Sequence, residues 1–191
     1  RDYRDHIITA LLTDSRSLTF PEETLFFALV TERNDGHRYI KDLYRKGVRD
    51  FVVEHSIPGE EEMDDANFIV VKDTLDALQQ LAAAPRRRFQ IPVIGVTGSN
   101  GKTTVKEWLY QLLQPDYNTV RSPRSYNSQI GVPLSVWQIG PKTEMAIFEA
   151  GISQPDEMVH LEEIIKPTLG LITNIGEAHQ EGFQTIQQKC L

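Results

Sequence analysis

The chain has 191 residues, of which 40% are apolar and 25% charged, an ordinary globular composition with room for one large domain or two small ones. A net charge of −7 argues against a nucleic-acid surface, and no stretch approaches the roughly 18 consecutive apolar residues of a membrane span. The opening RDYRDHIITALL is too polar for a secretion signal, and the single cysteine, Cys190, rules out an internal disulfide.

These features predict a soluble, cytoplasmic protein, and a start at Arg1 rather than Met reads as a piece of a longer chain. In chain order, short β-branched or aromatic runs at 26–30 (FFALV), 50–54 (DFVVE) and 68–72 (FIVVK) predict strands. Between the first two, HRYIKDLYRKG places Ile40, Leu43 and Tyr44 at helical spacing, with Gly47 as a stop. Asp73 caps a helix TLDALQQLAAA whose Leu75, Leu78, Leu81 and Ala82 share one face, and Pro85 ends it. The stretch PRRRFQIP, with Arg86, Arg87 and Arg88, reads as a solvated linker and puts a domain boundary near residue 88.

The second half restarts with the buried-type strand IPVIGVTG. A helix KTTVKEWLYQLL follows, with an expected inward stripe of Val105, Trp108, Leu109 and Leu112. Next come a strand at 145–151, a helix from Pro155 to Lys166 with Ser153 and Asp156 as a capping pair, and a strand at 168–176. Strands alternating with helices, and no hairpin signal, predict an α/β fold with a largely parallel sheet that binds ligands at the C-terminal strand ends.

The loop TGSNGKTT carries the chemistry. Gly98 and Gly101 let successive N–H groups turn toward phosphate oxygens, Lys102 supplies charge, Thr103 offers a hydroxyl to Mg2+, and the helix dipole adds to the attraction. The strict pattern G-x-x-x-x-G-K-[ST] fails at Val96, but strand, glycine loop and helix supply its context. Glu149 in AIFEAG is either a carboxylate in the sheet, which needs a cation or a partner, or an exposed edge residue. His179 follows the last strand at the same sheet end, as a ligand or as a structural histidine.

TGSNGKTT, YNSQIGVP (126–133), FEAGIS (148–153) and TNIGEAH (173–179) together resemble, in order and spacing, the central domain of the Mur ligases, whose own loop pattern opens on a threonine, here Thr97. TDSRSL (13–18), LFFAL (25–29) and NDGHRYI (34–40) resemble the N-terminal domain of the branch that joins D-alanyl-D-alanine to UDP-N-acetylmuramoyl-tripeptide.

The resemblance implies an N-terminal UDP-substrate domain over 1–88 and the first part of an ATP-binding domain over 89–191, with the sheet truncated and the C-terminal domain absent. It implies ATP and Mg2+ as cofactors, with Thr97, Gly98, Ser99, Asn100, Gly101, Lys102, Thr103 and Thr104 around the phosphates. Thr103 and Glu149 would hold a first Mg2+, His179 a second, and Asn127 would lie near the phosphates or the substrate carboxylate. Ser15, Arg16, Asn34, Asp35, Gly36 and His37 would meet the uridine diphosphate, although 14–16 reads equally as an Asx turn.

The reaction implied is phosphorylation of the tripeptide carboxylate, then attack of the dipeptide amine on the acyl phosphate. The family's carbamylated lysine would fall just past Leu191, with Lys189 out of register, so these residues are expected to need the rest of their own chain for activity. A subgroup of the family is fused to alanine racemase, and the wording of 106–137 resembles it. Another Mur or folylpolyglutamate-type ligase and a non-catalytic nucleotide-binding module are the alternative readings.

Overall fold

The computed structural model describes residues 5–31, 34–151 and 157–176. His179, Lys189, Cys190 and the Ser153–Asp156 pair lie outside the described residues. The chain divides into two compact units, Arg1–Leu78 and Gln79–Leu191.

In the first unit, β1 (Ala10–Leu12), β2 (Thr24–Phe27), β5 (Asp50–Val53) and β6 (Asn67–Val70) form a parallel sheet in the order β1-β2-β5-β6. Every residue of β2 and β5 is buried, as befits central parallel strands covered on both faces. Phe51 stacks on Phe68 at 5.3 Å and meets Phe26 edge-on at 6.4 Å. The expected helix is a 3-10 turn, Gly36–Tyr39, running into α1 (Ile40–Arg45), which buries Ile40 and Leu43. Among the described residues one hairpin is present against expectation: β3 (Val30–Thr31) pairs antiparallel with β4 (Asn34–Asp35). The Thr31 hydroxyl donates to the Asn34 carbonyl at 3.2 Å and accepts the Asn34 N–H at 3.1 Å.

A polar cluster fastens α1 to the loop before β6. Tyr44 donates its hydroxyl to Asp65, Arg49 Nε reaches the same carboxylate at 2.7 Å, and the guanidinium lies over the Tyr44 ring. The Tyr44 hydroxyl, aided by Arg49, holds the Asp65 carboxyl below its usual range against the opposing effect of burial. A depressed carboxyl contributes stability above its unfolded value and loses it as pH falls through the folded value. Asp65→Asn should therefore lower stability in urea at pH 7 by about 1 kcal/mol or less, because the pair is partly screened. The gap to wild type should close as pH drops below about 4.

Asp73 Oδ1 accepts the Asp76 N–H at 2.9 Å and starts α2 (Thr74–Ala82), which buries Leu78 and Ala82 but leaves Leu81 exposed. Pro85 does not open a solvated linker. It sits in the first turn of a second short helix, α3 (Ala84–Arg88), and Arg86 is buried. Its guanidinium donates to the carbonyls of Ile165, Lys166 and Phe89 at 2.8–3.3 Å, and burial pushes its pKa down. Carbonyls at a helix C-terminus are a natural seat for a cation.

The second unit holds β7 (Val93–Thr97), α4 (Lys102–Leu113), β8 (Thr119–Arg121), α5 (Gly131–Val136), β9 (Met145–Glu149), α6 (Glu157–Ile165) and β10 (Leu169–Ile172). Its sheet is parallel, in the order β10-β7-β9-β8. Val93, Ala146, Phe148, Val132, Leu161 and Ile165 centre its core. The expected inward stripe of α4 is corrected: Trp108 and Leu112 are 63% and 73% exposed, while Lys102 and Lys106, one turn apart, face inward. The reason lies at the strand ends, where polar atoms accept those ammonium groups. Among the described residues no helix is long and apolar enough to cross a membrane.

Candidate active site

In a parallel sheet every strand delivers its following loop to the same edge. Here the loops after β7, β8, β9 and β10 converge, bringing 98–101, 122–127, Glu149 and 173–176 together. Gly98 and Gly101 hold φ of 133° and 81°. Lys102 folds back, its Nζ donating to Gly98 O at 2.6 Å, and Gly101 caps a twelve-residue helix at whose first turn a dipole and the amides of Thr103 and Thr104 face outward from the helix hydrogen-bond ladder.

The loop is fastened to the segment after β10. Ser99 N–H donates to Asn174 O at 2.9 Å, Asn100 N–H to Asn174 Oδ1 at 2.8 Å, and the Thr173 hydroxyl to Asn100 O at 2.6 Å. Ser99 Oγ accepts the Gly176 N–H at 2.9 Å and lies 3.1 Å from Gly176 O. Those two loop amides are directed at Asn174, which leaves the Gly101–Thr104 end to the helix N-terminus. Thr97 O accepts the Thr173 N–H, completing the ladder where the loop leaves the strand.

Glu149 resolves one alternative left open by the sequence. It is the last residue of β9 and 1% exposed, not an edge residue. Thr103 Oγ1 lies 2.9 Å from its Oε2 and 3.1 Å from its Oε1, and Asn127 Nδ2 donates to Oε1 at 2.7 Å. Ser125 Oγ is 3.3 Å from the Thr103 hydroxyl. A buried carboxylate beside two hydroxyls at a helix N-terminus is a set of hard oxygen donors, and Mg2+ is held by one or two such groups together with water and phosphate oxygens. The donor chemistry fits Mg2+ with Thr103 and Glu149 as its protein ligands.

The first-unit candidates have local partners. Asp14 Oδ1 accepts the Arg16 N–H at 3.0 Å, the Asx turn, and its carboxylate pairs with the Arg16 guanidinium at 2.7 Å; Ser15 sits in the same 3-10 turn. The Arg16 side chain holds the Asp14 carboxyl below its usual value. Gly36 is required by close approach, since a Cβ there would lie 2.7 Å from the Ala28 backbone. His37 is buried, with Nε2 accepting the Glu54 N–H at 3.0 Å and Nδ1 donating to Asp35 at 2.6 Å. Asp35, His37 and His55 bring ligand atoms within 4.8 Å of one another, but His37 has no lone pair left for a metal. The His37 amide lowers the Asp35 carboxyl against burial. Asn34 belongs to β4 and accepts from the Tyr39 hydroxyl at 3.3 Å.

Sequence reasoning missed Lys106, Ser122, Ser125, Thr173 and Asn174. Lys106 had a signal, since a residue four beyond Lys102 shares its helix face.

A strand, a glycine loop, a Lys–Thr helix start and a buried acid on the neighbouring strand define an α/β domain of the phosphate-loop kind. Residues 96–189 match the Mur ligase middle domain. It is 38% identical to the UDP-N-acetylmuramoyl-tripeptide--D-alanyl-D-alanine ligase of Bacillus subtilis, over 94% of this chain and 38% of that one. Among solved structures, MurF from Acinetobacter baumannii superposes with a TM-score of 0.85 at 32% identity, covering 95% of this chain and 39% of that one. MurF from Thermotoga maritima in complex with ADP does so with 0.80 at 31%, covering 94% and 40%. The chain thus spans about two fifths of the length of these relatives.

Proposed function

We propose that these residues form the UDP-substrate and phosphate-binding portion of an ATP-dependent ligase of peptidoglycan precursor synthesis, one that joins D-alanyl-D-alanine to UDP-N-acetylmuramoyl-tripeptide through an acyl phosphate. The observation that carries this is the Thr103 hydroxyl against the buried Glu149 carboxylate at the mouth of the glycine loop. The likeness to a UDP-N-acetylmuramoyl-tripeptide--D-alanyl-D-alanine ligase and the ADP complex of the Thermotoga protein support the substrates and the nucleotide.

In this reading Lys102 and the amides of the loop's C-terminal end take the β- and γ-phosphates, and Thr103 and Glu149 hold Mg2+. Mg2+ supplies neutralisation between the γ-phosphate and the substrate carboxylate, two anions that would otherwise repel. Asn127 orients Glu149 beside the reacting groups, and His179 would take a second cation. The segment 1–88, with Ser15, Arg16 and Asn34–His37, receives the uridine diphosphate, and 89–191 begins the ATP domain. The activity belongs in the cytoplasm.

Calorimetric titration of the 191-residue chain tests this. ATP should bind tighter with Mg2+ than with EDTA, and UDP-N-acetylmuramoyl-tripeptide should bind separately. Turnover to ADP is not expected from these residues alone. Indifference to ATP, or to Mg2+, would overturn the reading.

A further inference from the structure

Lys106 is 0% exposed, and no part of the phosphate-loop reading uses it. A buried ammonium is tolerated only when its three N–H groups find acceptors. Its Nζ donates to Ser122 O at 2.9 Å and to Arg124 O, and it pairs with Glu107 Oε1 at 3.2 Å and Glu149 Oε2 at 3.8 Å. We propose that Lys106 is the positioning residue of the cation site, fixing the 122–127 turn and the Glu149 carboxylate against Thr103; this rests on the reading that Thr103 and Glu149 hold Mg2+.

Three routes lead from the one ammonium to the same carboxylate. Ser122, whose carbonyl accepts from Lys106, also accepts the Glu149 N–H on its Oγ at 3.0 Å and so fixes the end of β9. Arg124 holds φ of 49°, a left-handed conformation that a side chain adopts only where its surroundings impose it, and its carbonyl is turned onto Lys106. That turn sends Ser125 to the Thr103 hydroxyl and Asn127 to Glu149 Oε1. The third route is direct: Lys106 faces Oε2 while Asn127 takes Oε1, which sets the rotation of the carboxylate. Being fully buried, Lys106 does not meet nucleotide itself and acts only through Glu149 and the turn.

The test is Lys106→Met, close in length and uncharged, titrated with ATP in EDTA and with ATP in Mg2+. A positioning role predicts that Mg2+-ATP affinity falls about tenfold or more while metal-free ATP affinity stays within about threefold. Both affinities unchanged, or both reduced equally, overturns it. If circular dichroism shows the Met variant unfolded, Lys106→Gln, which keeps an amide donor for the turn carbonyls, goes through the same two arms. Failure of both variants to fold assigns Lys106 to stability alone and overturns the proposal. Wild-type protein that binds ATP equally with and without Mg2+ instead overturns the site reading, and does so before any variant is made.

Discussion

Glu149→Ala should lower the stability of the chain by about 1–3 kcal/mol, because it takes the acceptor from the Thr103 hydroxyl and the Asn127 amide and leaves Lys106 with Glu107 as its one carboxylate. It should also abolish the Mg2+ dependence of ATP binding. Guanidinium denaturation and paired titrations with Mg2+ and with EDTA read the two effects separately. Glu149→Gln divides them: the amide keeps the volume and an acceptor for Asn127, so most of the stability should return while Mg2+ dependence stays lost. A Gln variant that still binds Mg2+-ATP as wild type does would remove Glu149 from the cation site.

Gly98→Ala is the second large effect. A Cβ at Gly98 would stand 2.1 Å from Thr173 Oγ1 and 2.9–3.0 Å from the Asn174 backbone, and φ of 133° is itself unfavourable for a side chain. Backbone cannot yield as a flexible side chain can, so the loop and the segment after β10 must separate. The expected loss is about 2–4 kcal/mol, from left-handed strain and overpacking together. Nucleotide binding should vanish in the same titration. Gly101→Ala is the control: a Cβ there meets nothing within 4 Å, and with φ of 81° its cost in thermal denaturation should be only about 1–2 kcal/mol. Equal destabilisation by the two changes would show that contact with Thr173 and Asn174 is not what Gly98 avoids.

Much of the site was legible because its signals are local. The glycines, Lys102 and Thr103 fall within six residues of one another, and strand and helix periodicity place them at a sheet edge. The parallel sheets follow from alternating elements, whereas Glu149 stayed open between a sheet carboxylate and an exposed edge residue until its burial decided the matter. What could not be read depends on distant acceptors. A helical wheel turns Trp108 and Leu112 inward and lysines outward, since it cannot know that Ser122 and Arg124 offer carbonyls to Lys106. Arg86 was assigned to solvent for the same reason, because its partners at Ile165 and Lys166 lie about eighty positions along the chain. The β3–β4 pairing escaped because bonds between the Thr31 hydroxyl and the Asn34 backbone leave no hairpin signal in the sequence. In each case a polar side chain does what composition assigns to apolar packing or to special turn residues.

The bonds between the glycine loop and the segment after β10 also set when the loop can open. Ser99 and Asn100 give their amide hydrogens to Asn174, just beyond a strand that, among the described residues, borders the sheet through β7 alone. Exchange of those hydrogens with solvent then requires the Asn174 segment to part from the loop, an event tied to fraying of β10 from β7. Among the described residues the glycine loop is only as persistent as the strand it leans on, so whatever steadies β10 keeps the loop closed.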